Sequence, residues 1–234
     1  MKKFILNILP GYAWFPIGAV LFLNFFTYLV PRSLYGSGYP FPFVDISTPL
    51  DEMLPFVPAF MSVYLLCYAQ WVLGFIMVGR EGKEFCYRHF TAEMIAKSIC
   101  LIFFVFMPTC MVRPEISGNG FWEEITRTVY ETDAANNLFP SIHCLESWYL
   151  FRVATRMKRP GKWHVIFHLV FSLLVFASVV LVKQHLVLDI LGGIAAVEIG
   201  LLCSKKISFG RFFEGVNQFF IRTFNKIFKT RSKT

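Results

Sequence analysis

HVIFHLVFSLLVFASVVLV, residues 164–182, decides the fold class. The run carries no Asp, Glu, Lys or Arg. As a helix rising 1.5 Å per residue it nearly matches the roughly 30 Å hydrocarbon core of a bilayer. Working outward, five further apolar runs cover residues 13–30, 56–78, 94–112, 139–155 and 185–203. Several begin or end at Pro, Gly or a charged residue, as helix ends do. Lipid offers the backbone no hydrogen-bond partners, so only helices or closed barrels cross it. The expected fold is therefore all-α, a polytopic membrane protein with a six-transmembrane-helix bundle.

Composition agrees. The 234-residue chain is 56% hydrophobic and 16% charged, against about 25% charged in soluble domains. Its mean hydropathy is +0.54. Met1-Lys2-Lys3 resembles the start of a signal peptide, but no small-residue cleavage site follows, so none is expected to be removed. The six cysteines lie mostly inside apolar runs and have neither disulfide-framework nor zinc spacing. They are read as small packing groups.

Basic residues orient the bundle. Lys2, Lys3, Arg80, Lys83, Arg88, Arg156, Lys158, Arg159 and Lys162 fall at the N-terminus and in the even-numbered connections, joined by the basic tail. The odd-numbered connections carry Arg32, Arg113, Arg127 and Lys183 among many acids. The positive-inside rule then places both termini in the cytoplasm and residues 113–138 outside the cell membrane. The net charge of +8 is a topology signal of this kind and needs no nucleic acid. In residues 204–234, Phe209, Phe212, Phe213, Val216, Phe219, Phe220, Phe224, Ile227 and Phe228 recur at three- and four-residue steps, with Arg211, Arg222, Lys226 and Lys229 between them. This reads as a basic amphipathic cytoplasmic tail lying on anionic membrane lipids. Packing against the bundle or a partner is the competing reading. Residues 1–203 form the catalytic membrane domain.

Two polar clusters interrupt the apolar pattern. NNLFPSIHCLES (136–147) opens the fourth span and KQHLVLD (183–189) opens the sixth. Both starts face the same side, so the clusters can meet at one depth. Ionisable groups within spans are costly and mark function by default. His185 and Asp189 share a helix face. Asp189 can hold one nitrogen of His185 and leave the other as a nucleophile. Helix N-termini favour an anion, and Ser141 adds a hydroxyl donor there. His143 is a candidate general acid. Arg113 offers a forked donor set to an oxyanion. These parts describe phosphoryl transfer through a phosphohistidine, with no metal and no cofactor. Glu146, one turn beyond His143, either touches the substrate headgroup or pairs with Arg152 or another buried partner. Asp133, Asn136 and Asn137 are read as loop-ordering residues or substrate contacts. His164 is read as an interfacial anchor, His168 as a core residue, and His89 as part of a basic loop.

Arg113-Pro114, Phe139 to His143 (FPSIH) and Lys183 to Asp189 (KQHLVLD), in this order and spacing, resemble the type 2 phosphatidic acid phosphatase superfamily. That group also holds vanadium haloperoxidases and inositol phosphorylceramide synthases. The resemblance implies His185 as nucleophile, Asp189 as its orienting partner, His143 as general acid, and Arg113 and Ser141 as phosphate ligands. It also implies a lipid phosphate or diphosphate substrate, or a phospholipid headgroup donor. Two cations of the family pattern are missing. Phe106 stands where a Lys is expected, and Val179 follows Ser178 where an Arg is expected. Lys183 is the nearest substitute as a phosphate ligand and Arg127 a more distant one. Similar losses occur in the branch resembling sphingolipid phosphotransferases.

The expected activity is a metal-independent lipid phosphatase with its site outside the membrane, because water is the default acceptor in an open pocket. The alternative is a phospholipid or sphingolipid headgroup phosphotransferase. A rhomboid-type serine protease lacks its G-x-S motif here. A metal hydrolase built on His143, His185, Asp189 and Glu146 lacks H-E-x-x-H spacing. A non-catalytic protein of the same fold is favoured only by the missing cations.

Overall fold

The structure is a computed structural model that describes residues 8–36, 38–158 and 161–231, without the side chains of 221 and 224–231. Lys2, Lys3, Arg159, Phe224, Lys226, Ile227, Phe228 and Lys229, used in the sequence reading, fall outside that description. After a 3-10 turn at Gly11–Ala13 come α1 (Trp14–Leu34), β1 (Val44–Asp45) and the short α2 (Pro49–Met53). Next are α3 (Met61–Arg80), α4 (Lys83–Phe106) and β2 (Thr109–Cys110). Then follow α5 (Phe121–Thr132), α6 (Ile142–Ala154), α7 (Lys162–Leu181), α8 (Val187–Cys203) and α9 (Gly210–Arg231). The two-residue strands pair in parallel, Val44 with Thr109 and Asp45 with Cys110. The fold is otherwise helical, as expected.

Six of these helices alternate in direction between two ends of one bundle. At the first end, Tyr35 after α1 donates to Phe104 O near the end of α4 (2.6 Å). Val57 before α3 donates to Leu181 O at the end of α7 (2.8 Å), and Ser141 before α6 donates to Asp189 O at the start of α8 (3.1 Å). At the second end, Lys158 N donates to Glu81 (2.6 Å) and Lys83 pairs with Glu214 of α9 (2.6 Å). The N-terminal residues lie there too, since a Cβ on Gly79 would meet Leu9 at 2.9 Å.

Among the described residues four segments are long and apolar enough to cross a membrane: Gly11–Leu34, Pro58–Arg80, Lys83–Phe106 and Lys162–Leu181. The other two expected spans correspond to α6 and α8, which are shorter. The 13-residue α6 and the 17-residue α8 span only about 20 and 26 Å. Local chemistry shortens both. Ser141 caps α6, its Oγ accepting from Cys144 N (3.3 Å) from an extended backbone, so the helix begins only at Ile142. Lys183 adopts φ 50° just past α7, a left-handed helix-ending conformation, and the chain turns before α8 starts. The third span also moves: α4 begins at Lys83, because the basic connection expected there is itself helical. It ends at Phe106 because Met107 precedes Pro108.

The two short helices pack in the middle of the bundle, α6 against α3, α4, α7 and α8, and α8 against α4 and α6. Backbones approach closely at two glycines of α8. A Cβ on Gly200 would sit 2.3 Å from Ala92 O of α4, and one on Gly193 2.7 Å from Ser141 O. Within this core Lys97 of α4 lies between Glu146 of α6 (2.5 Å) and Glu93 of its own helix (3.3 Å), all three side chains at most 1% exposed. Of the two readings held for Glu146, this is the buried pair. Its carboxylate is buried between α6 and α4. Arg152 instead pairs with Glu198 of α8 (2.5 Å).

The first turns of α9 pack on the bundle. Phe213 is fully buried against Tyr87 (5.5 Å) and Phe15 (6.0 Å). Glu214 accepts from Lys83, Gln218 and Tyr87, and these bonds hold its carboxyl at about 2. Phe212, Phe219 and Phe220 on the same helix remain exposed. The helix thus combines a docked start with an uncovered apolar stripe.

Candidate active site

The site is built from the start of α8 upward. The turn between α7 and α8 is closed by Gln184 N and His185 N, which both donate to Val179 O (2.9 and 3.0 Å). It sets His185 four residues before Asp189 on the first turn of α8. Nδ1 of His185 lies 3.2 Å from Asp189 Oδ2 and 3.1 Å from Leu138 O. Both are acceptors, so Nδ1 carries the ring proton and a neutral His185 presents Nε2 as a bare nitrogen. Asp189 is fully buried, and Oδ2 also accepts from Leu186 N (2.8 Å), which locks the carboxylate in place.

The carbonyl of Leu138 is positioned just as firmly. Thr109 Oγ1 accepts from Leu138 N (3.1 Å) and Phe139 N (2.9 Å), and the Asn137 side-chain amide lies against the Tyr35 hydroxyl. Asn137 itself stands at φ 57°, a conformation that Asn tolerates. Arg32 reaches Asp133 Oδ1 (3.0 Å) and Asn136 Oδ1 (3.4 Å). Asp133, Asn136 and Asn137 therefore order the loop, the first of their two expected roles.

A cavity of about 380 Å³ opens beside His185. Its walls include Arg113, Lys183, His185, Asp45, Asp51 and Glu52. Of the expected site residues it gathers His185, Arg113 and Lys183. Arg113 stacks on Tyr130 (4.5 Å) and donates to Asp133 O (2.5 Å) and Gln184 Oε1 (2.6 Å). Its Nε is buried with no partner among the described residues. Burial lowers the guanidinium from its usual range, yet an arginine stays charged at neutral pH. Burial also pushes the Tyr130 phenol up to about 12, against the pull of Arg113.

Lys183 is engaged differently from expectation. Its Nζ donates to Asp51 O and Leu54 O (2.7 Å each), so it fastens the first-end connection to the α7–α8 turn. Arg127 is turned away onto Ile116 O, Gly118 O and Glu124. Phe106 is exposed and stacks on Phe41, while Val179 is buried, so no cation stands in for the two missing ones at these positions. The α8 N-terminus was expected to bind an anionic substrate. Its first N–H groups are already capped by carboxylates, Leu186 N by Asp189 and Val187 N by Asp51 Oδ1 (2.7 Å).

His143 lies behind the cavity, its ring 5.6 Å from that of His185. Tyr64 (4.5 Å) and Trp71 (5.5 Å) of α3 hold it, and Tyr68 Oη is 3.1 Å from Nε2. Ser141 is fully buried as the α6 cap and does not line the cavity. The four donors of a metal reading are split, since Glu146 sits on Lys97; among the described residues no three His, Cys, Asp or Glu groups come together as a metal site.

His185 held by Asp189, a second histidine beside it and an arginine on the cavity wall are groups whose chemistry suits a phosphoryl group. The sequence matches the PAP2 superfamily over residues 44–203, well over half of the chain. The chain belongs to the PAP2 superfamily. The matched region runs from β1 to the end of α8 and contains Arg113, Ser141, His143, Lys183, His185 and Asp189, while α9 and α1, with the loop-bracing Arg32, lie outside it. No curated protein and no solved structure matches the chain. Membership brings a phosphatase or phosphotransferase activity to the apolar bundle.

Sequence reasoning missed three members of the PAP2 site. Tyr68 reads in sequence as one aromatic among many. Gln184, fully buried against Arg113, reads in sequence as a polar spacer between Lys183 and His185. Thr109 gives no signal beyond its nearness to Arg113.

Proposed function

We propose that the protein is an integral membrane lipid phosphatase that hydrolyses a lipid phosphate or diphosphate through a phosphohistidine. The observation that carries this is the fixed tautomer of His185, whose Nδ1 faces two acceptors while the residue lines the cavity with Arg113. Nε2 attacks phosphorus, the bond to the leaving oxygen breaks, and that oxygen is protonated by an acid drawn from His143. Asp189 stabilises the positive ring. Arg113 holds the equatorial oxygens, where phosphoryl charge resides. Water then attacks the phosphohistidine and frees phosphate. Purified protein should release inorganic phosphate from a lipid mono- or diphosphate without added magnesium and be inhibited by vanadate.

One observation favours a second reading, headgroup transfer. Asp45 and Glu52 share the cavity with Arg113, and the positions of the two missing cations are apolar. A phosphodiester donor carries less negative charge than a monoester and needs fewer cationic contacts. No phosphate release from any such lipid, with headgroup exchange once diacylglycerol, ceramide or a polyol is added, would establish transfer instead.

The side of the membrane is also a proposal. Arg80, Lys83, Arg88, Arg156 and Lys158 cluster toward the end that carries both terminal segments, which the positive-inside rule makes cytoplasmic. The site then faces outward. With Cys110 and Cys203 replaced by serine, a cysteine at Asn119 should react with an impermeant thiol reagent on intact cells. One at Lys206 should react only after lysis. The reverse labelling would move the site to the cytoplasmic face.

A further inference from the structure

The general acid has an unexpected setting. His143 Nδ1 is buried and has no partner among the described residues. Its other nitrogen, Nε2, faces Tyr68 Oη at 3.1 Å. Tyr64, Trp71 and His185 surround the rest of the ring. Neither His143 nor Tyr68 is among the residues that line the cavity beside His185, and His143 is partly exposed. The Tyr68 hydroxyl is the polar group that meets the ring of His143 and can carry its proton onward. Tyr68 is 45% exposed, on the same helix as the exposed Leu65, Leu66, Val72 and Leu73. That face is apolar and suits the lipid part of a substrate. In an in-line displacement the leaving oxygen departs on the side of phosphorus away from the attacking nitrogen. A hydroxyl on Nε2 extends the reach of the acid beyond the His143 ring.

We infer that Tyr68 is a further catalytic residue, which relays the proton of His143 to the leaving oxygen of the lipid; this rests on the phosphoryl-transfer reading above. The step balances. As the bond from His185 Nε2 to phosphorus forms, the phosphorus–oxygen bond breaks and its electron pair goes to the leaving oxygen. That oxygen takes the Tyr68 hydroxyl proton. Tyr68 takes the Nε2 proton of the imidazolium His143. The products are a neutral alcohol, an unchanged Tyr68 and a neutral His143. When water attacks the phosphohistidine, its proton returns along the same path. Hydrolysis and headgroup transfer share the first step, so both need the relay.

The test compares two substrates with one phosphoryl group, a lipid alkyl phosphate and a nitrophenyl phosphate whose leaving group needs no proton. Release of the leaving alcohol is measured for full-length protein in detergent. Tyr68→Phe should lower kcat on the alkyl substrate roughly 100-fold with KM unchanged, the usual worth of general acid catalysis, and leave the nitrophenyl rate within about 3-fold. His143→Ala should show the same pattern. The double variant should be no slower than His143→Ala alone, since both act in one proton path. Equal losses on both substrates would make Tyr68 a support for the ring only, and an unchanged alkyl rate would remove the relay. Wild-type protein inert on both substrates would overturn the phosphoryl-transfer reading and the relay with it. Should Tyr68→Phe not fold, fluorotyrosine at position 68 keeps the hydroxyl and alters its acidity. It should change the alkyl rate and not the nitrophenyl rate, and equal effects on the two would refute the relay.

Discussion

His185→Ala should reduce turnover to background, a loss of at least about 10⁴-fold in kcat, because no other group in the cavity offers a bare nitrogen. Asp189→Asn should cost roughly 10³- to 10⁴-fold while leaving the fold intact. His185 Nδ1 and Leu186 N both bond Oδ2, so an amide with its nitrogen there favours the wrong tautomer of His185, and one with its oxygen there lacks the charge that stabilises the imidazolium. Asp189→Ala is the less informative change, since it also uncaps the start of α8. Both variants should elute from a sizing column as wild type does. Activity retained in His185→Ala would refute the nucleophile.

Lys97→Met should be the most destabilising single change in the bundle, by about 3–5 kcal/mol, because it leaves Glu93 and Glu146 as uncompensated buried carboxylates. The substitution barely alters side-chain volume, so packing is not the cause. Thermal unfolding in detergent measures it. Adding Glu146→Gln should recover part of the loss, as coupled partners do. A Lys97→Met protein that melts with wild type would mean that both carboxyls are already neutral. The consequence reaches the site, since Glu146 lies on α6 one turn below His143 and its ion pair with α4 helps set the rotation of that helix.

Much of this was legible in the sequence for specific reasons. Apolar length located all six long or buried helices of the bundle, because burial in lipid and burial among helices demand the same residues. For that reason it does not separate membrane crossings from buried helices: α6 and α8 pack between neighbours, and their ends are set by Ser141 and Lys183, whose effects are conformational. The His185–Asp189 pair was legible because four-residue spacing in a helix is a geometric statement. Lys183 reads as a phosphate ligand from its place beside the motif, and Glu146 reads either as a headgroup contact or as half of a buried pair; their partners, two carbonyls and Lys97, are distant in the chain. Lys97 and Glu93 carried a usable signal, two ionisable groups near the start of the third apolar run that the chemistry left unused. Tyr68 carried none, since its role depends on which nitrogen of His143 it meets.

The central claim is that a phosphoryl group passes through His185. Protein mixed with a lipid phosphate, quenched in alkali and digested should yield a peptide containing His185 with one added phosphoryl group, stable to base and lost in acid. The same peptide should be unmodified in Asp189→Asn quenched at the same time. Phosphate release from active protein with no phosphoryl group ever trapped on His185, or one trapped on a different side chain, would contradict the account.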